Sequence, residues 1–91
     1  MFNLTKESFE KKELAEQKGG LWEYYQYKED NRTISIRFYG STKALAVDYY
    51  VGIDLEDSDN AENVPEGAEW ETALQIANRF FKQYEFKGPQ A

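Results

Sequence analysis

The sequence predicts an α+β domain in α-β-β-β-α order: a three-stranded antiparallel meander with the C-terminal helix packed on one face and a loosely packed N-terminal helix. Three observations predict it. Residues 32–39 (RTISIRFY) alternate apolar and polar side chains at strand period. An apolar stripe at helical spacing follows residue 66. The strand-like runs are joined by turn residues in short clusters, which favours antiparallel neighbours.

The first element is read as a helix over 6–18. Thr5 is its N-cap, Leu4 and Phe9 have the spacing of a hydrophobic staple, and Gly19-Gly20 stop it. Its apolar face is poor, because Phe9 and Leu14 diverge by about 140° around a helix. Strands are expected over 21–28 (LWEYYQYK), 32–39 and 44–53 (ALAVDYYVGI), with turns at Glu29-Asp30-Asn31 and Gly40-Ser41-Thr42-Lys43. On the third, Leu45, Val47, Tyr49, Val51 and Ile53 share a face. Residues 54–65 are expected to form an acidic loop. A long helix then runs from Pro65 or Glu66 to Phe86, with Asn63 and Glu66 as a capping box. Its stripe is Trp70, Leu74, Ala77, Phe81 and Tyr84, widened by Ala73 and Phe80. Residues 1–4 and 87–91 are expected to fray.

The chain's 91 residues form a single domain, 1–91. With 6 Phe, 7 Tyr and 2 Trp it has enough ring area for a core without disulfides or metal, and a stability of about 5–9 kcal/mol is expected. Cys and His are both absent. That removes thiolate nucleophiles, imidazole bases and Cys- or His-ligated metals. No cofactor or metal is expected, and an enzyme is disfavoured. No stretch approaches the ~20 apolar residues of a membrane span. Residues 1–7 lack the apolar core of a signal peptide, so the expected compartment is a bacterial or host-cell cytosol.

Charge is segregated. The net charge is −6, but residues 44–78 carry nine acids and no Lys or Arg. The nine are Asp48, Asp54, Glu56, Asp57, Asp59, Glu62, Glu66, Glu69 and Glu71. As a patch they would meet a partner protein with a basic groove, because carboxylates along a rigid edge imitate phosphates. Calcium is the competing reading of Asp54, Asp57 and Asp59. Neither EF-hand register works, since Ala61 and Ala68, or Pro65, occupy ligand positions. Gly40-Ser41-Thr42-Lys43 lacks the leading Gly of a phosphate loop and joins two strands.

A second surface is the sheet face turned away from the helix. If Ile34, Ile36 and Phe38 point inward, that face holds Arg37, Tyr39 and Tyr50. Turning Tyr25 and Tyr27 inward adds Trp22 and Tyr24, at the cost of an inward Glu23. Tyr, Trp and Arg dominate binding hot spots. The face could instead self-associate as a homodimer, or stack single-stranded nucleic acid or sugar.

The element order resembles that of double-stranded-RNA-binding domains, whose last helix offers a basic N-terminal end to phosphates. Here that end reads Glu66-Gly67-Ala68-Glu69-Trp70-Glu71 and would repel a duplex. Direct nucleic-acid binding is therefore disfavoured. In being short, acidic and Cys-free, the chain resembles phage anti-CRISPR and other DNA-mimic proteins. The expected function is thus a small acidic inhibitor of a basic, nucleic-acid-handling protein. The runner-up is a self-associating structural or regulatory module.

Overall fold

A computed structural model describes residues 3–13, 22–39, 43–52, 58–65 and 69–88. The class is α+β, but the sheet has five strands, not three. A 3-10 turn, Lys6–Ser8, leads into β1 (Glu10–Glu13). β2 (Trp22–Glu29), β3 (Arg32–Tyr39), β4 (Lys43–Val51) and β5 (Asn60–Asn63) follow, and α1 (Trp70–Gln83) closes the chain. The strands lie in the order β1-β2-β3-β4-β5, every neighbouring pair antiparallel.

The two additional strands correct two expectations. Residues 6–18 do not start as a helix: Lys6–Ser8 form the 3-10 turn and Glu10–Glu13 pair with β2. A helix here would have no coherent face to bury. The extended path sends Phe9 into the core and satisfies the backbone of β2. Residues 14–18 and the Gly19-Gly20 stop lie outside the described residues. The expected loop 54–65 contains β5, which pairs along β4 from Tyr49↔Asn60 to Ala46↔Asn63. Asn and Glu are poor strand formers, so no local signal marks it.

The remaining strands match their reading closely. Glu29↔Arg32 close a two-residue turn in which Asp30 takes φ 56°. A bulge between Arg37 and Phe38 skips Leu45 in the β3–β4 register. Val51 ends β4 exposed at 48%, so the inward row stops at Tyr49; Ile53 lies outside the described residues. Glu23 is accommodated on the helix-facing side: Tyr25 Oη donates to it at 3.0 Å, and Lys11 Nζ stands 3.4 Å away.

α1 packs against β3 and β4. The core joins Tyr27, Ile34, Ile36, Phe38, Val47 and Tyr49 from the sheet to Ala73, Ile76, Ala77, Phe80 and Phe81 from the helix. Ile76 was not on the expected stripe. Trp70 caps one end of the core, its ring 4.8 Å from Phe38 and 4.7 Å from Tyr25. At the other end Tyr49 and Tyr84 stack at 3.7 Å. The helix starts later than expected, with Glu69 as N-cap. Asn63 belongs to β5 and forms no capping box, and Glu66 lies outside the described residues.

Both ends, where described, are tied down. Leu4 is buried, its N–H donating to Asn78 Oδ1 at 2.6 Å while Asn78 Nδ2 donates to the Leu4 carbonyl at 3.0 Å. Lys87 and Gly88 were expected to fray. Instead their N–H groups donate to the Glu29 carboxylate at 2.7 and 2.9 Å. Burial alone would raise the Glu29 pKa, but these donors, the Tyr27 hydroxyl and the Arg32 charge outweigh it and hold the group low.

α1 ends in a Schellman turn: Phe86 N–H bonds the Phe81 carbonyl and Glu85 N–H the Lys82 carbonyl. The Phe81 and Phe86 rings make the accompanying apolar contact at 5.7 Å. The left-handed position is Glu85, with φ 56°, where a side chain is strained. Glu85→Gly is therefore expected to raise stability by about 0.5–1 kcal/mol, read as a higher urea midpoint. A lowered midpoint would contradict this account of the turn.

Candidate functional site

The expected sites fall on two regions with different fates. On the sheet face away from α1, β2 contributes Tyr24 and Gln26, β3 contributes Thr33, Ser35 and Arg37, and β4 contributes Ala46, Asp48 and Tyr50. Register sets them side by side: Tyr24↔Arg37, Gln26↔Ser35, Ser35↔Asp48 and Thr33↔Tyr50. The middle of this face is closed. Ser35 is 1% exposed, Asp48 2% and Tyr50 8%.

That burial corrects two expectations. Asp48 is no part of an exposed acidic patch, because its strand phase turns it onto this face beside Arg37. Tyr50 is no exposed anchor, because its ring is buried there too. Tyr24 and Arg37 remain half-buried. Trp22 and Tyr39 pair through their backbones at one end of the hairpin, and their side chains lie outside the description.

Arg37 and Asp48 form the electrostatic centre of the face. Nε lies 2.7 Å from Oδ2 and Nη2 lies 3.5 Å from Oδ1. The closer contact is an ion pair rather than an aligned hydrogen bond, since neither Nε nor Oδ2 has a hydrogen-bond partner of good geometry. Ser35 Oγ, buried next to them, has none either. Burial pushes the Asp48 pKa up and Arg37 pulls it back only in part. The Tyr50 hydroxyl is pushed up to about 12, chiefly by burial and then by the Asp48 charge. The pair joins a buried carboxylate to a half-buried guanidinium, and its closest contact is not an aligned hydrogen bond.

The acidic segment has a different geometry. Asp59 is exposed and folds its carboxylate back onto the Val51 N–H at 2.7 Å. Glu62, on β5, pairs with Arg79 of α1. Glu69 caps α1 and Glu71 sits in its first turn, both exposed. These four lie along the β5 edge and the start of α1. Asp54, Glu56, Asp57 and Glu66 are outside the described residues, as are two of the three acids of the calcium reading. Among the described residues no group of three or more potential metal ligands converges.

Sequence reasoning missed a shallow groove of about 610 Å³ along the exposed flank of α1, lined by Asn3, Glu71, Leu74, Gln75, Asn78, Arg79 and Lys82. Its second wall, the N-terminal segment, comes beside α1 through the Leu4–Asn78 contacts and through Lys6 and Phe9 against the Trp70 ring, which no local pattern announces. Among the described residues no helix is long and apolar enough to cross a membrane.

No family model matches the chain, and neither a curated protein nor a solved structure does.

Proposed function

We propose that this chain works by binding a basic partner protein, and specifically that it inhibits a nucleic-acid-handling protein by occupying its phosphate-binding groove. One observation carries the reading. In a simple meander, sequence order is spatial order, so a charge gradient along the chain becomes a charge gradient across the molecule. Within the sheet, Lys28, Arg32 and Arg37 sit on β2 and β3 beside Glu23 and Glu29, whereas β5 carries Glu62, preceded by Asp59, and no Lys or Arg; Glu69 and Glu71 flank Trp70, which packs on β2 and β3. A field of one sign on one side steers an oppositely charged partner and orients its docking.

Asp48 adds little to that field, since Arg37 neutralises it. The working acids are the exposed Asp59, Glu69 and Glu71 together with the other acids of residues 54–66; Glu62, half-buried and paired with Arg79, adds little.

The test uses the triple variant Asp54→Lys, Asp57→Lys and Glu71→Lys, none of which holds a described core contact. Tagged wild-type protein is expected to recover basic nucleic-acid-binding proteins from a bacterial lysate at low salt. The variant should recover about tenfold less, with the difference closing as salt screens the charges. Recovery of only neutral or acidic proteins, or equal recovery by both forms, would end the proposal.

A further inference from the structure

We infer that the outer edge of β5 accepts an extended basic segment of a partner protein as a sixth strand of the sheet. This rests on the binding role proposed for the acidic side and gives it a docking mode.

Among the described residues the sheet ends at β5, and Ala61 and Asn63 are exposed. The Ala61 N–H donates not to β4 but to the Asn60 side-chain oxygen at 2.9 Å, so its backbone faces away from the sheet. Antiparallel alternation turns Asn63 outward as well. The two residues thus offer two N–H donors and two carbonyl acceptors along one line. An arriving strand carbonyl takes over the Ala61 donor from Asn60.

The two edges of the sheet differ. β1 carries Lys11 and Lys12 at its centre, a common defence against strand addition. β5 reads Asn-Ala-Glu-Asn, with no Lys, Pro or large side chain. The occupant's chemistry follows from charge. Asp59, exposed, precedes β5, Glu62 lies within it paired with Arg79, and the chain carries −6 in all, so a segment bearing Lys or Arg is the favoured occupant while its backbone completes the ladder.

The probe is an eight-residue peptide of alternating Lys and Val, with two derivatives N-methylated at one or the other alternate set of amides. Strand addition needs only one set. One derivative should therefore bind wild-type protein about tenfold or more weakly than the parent, and the other about equally. The Ala61 and Asn63 amide resonances should move on titration, and Ala61→Pro, checked for fold by circular dichroism, should lose the same affinity. Equal binding by all three peptides would overturn strand addition and leave the acidic side standing as a charged surface. Absence of binding by the parent peptide would overturn the inference; if the charge-reversed triple variant is also without effect in lysate capture, the binding role falls with it.

Discussion

Arg37→Leu is expected to cost about 3–5 kcal/mol at pH 7, because it strands the Asp48 carboxylate in a buried site with no counter-charge. The cost should shrink on acidification. Burial already raises the Asp48 pKa against the pull of Arg37, and removing Arg37 raises it further. A carboxyl whose folded pKa lies above its unfolded value contributes stability that is fully present below the unfolded value. That contribution is lost as pH rises through the folded value. The variant should therefore sit closest to wild type near pH 4 and furthest from it at neutral pH. Glu29, held low, works in the other sense, losing its contribution as pH falls, but it does so in both proteins and drops out of the difference. The companion Arg37→Leu/Asp48→Leu should return to wild-type stability or above, since an apolar pair carries no desolvation penalty. Urea unfolding at pH 7 and pH 4 reads all of this. A single-variant cost below about 1 kcal/mol at pH 7, or one identical at both pH values, would show that the pair is solvated after all.

The same pair marks the limit of what could be read from the chain. Alternation placed Ile34, Ile36 and Phe38 inward and Arg37 outward, and a period of two is a local property. What lies across from a strand is not local. The pairing Ser35↔Asp48 depends on the β3–β4 register, and the bulge at Leu45 alters that register within the strand. Hence the sequence groups Asp48 with the acids of its own segment, and only the register shows its cross-strand partner. α1 was legible because an amphipathic stripe of four turns carries its own phase, although its first turn was placed too early. β1 and β5 were not legible. Each is four residues of mostly charged or amide side chains, strands only because a neighbour has an unpaired edge to satisfy.

Those short outer strands also explain how a fold this small separates its charges. A sheet that grows by adding neighbours in chain order keeps early residues at one edge and late ones at the other. That order keeps Asp59 and Glu62 at the β5 edge, two strands away from the bases on β3, whereas Glu69 and Glu71 flank Trp70, which packs back on β2 and β3. Where the two signs do meet across the fold, as at Glu62–Arg79 and Arg37–Asp48, the contact joins an element to its packing partner.

Phe38→Ala is expected to cost a further kind of stability, about 3–5 kcal/mol without pH dependence. Phe38 is 1% exposed and neighbours Arg37 along β3, yet it faces the opposite layer. Its ring lies 5.5 Å from Tyr25 and 4.8 Å from Trp70, so truncation opens a cavity between β2, β3 and the first residue of α1. Neither Tyr25 nor Trp70 can collapse into it easily, because the two are already in edge contact at 4.7 Å. Against a total of about 5–9 kcal/mol, the loss should leave a protein folded in the cold and substantially unfolded on mild heating. The proton balance is untouched, since no titratable side chain is removed or newly buried, and the cost measured at pH 4 and pH 7 should agree. That invariance is the control for Arg37→Leu: adjacent positions on one strand, comparable losses at neutral pH, and divergence only in acid. A Phe38→Ala cost below about 1.5 kcal/mol would mean that the aromatic cluster around Trp70 repacks freely and does not hold the helix to the sheet.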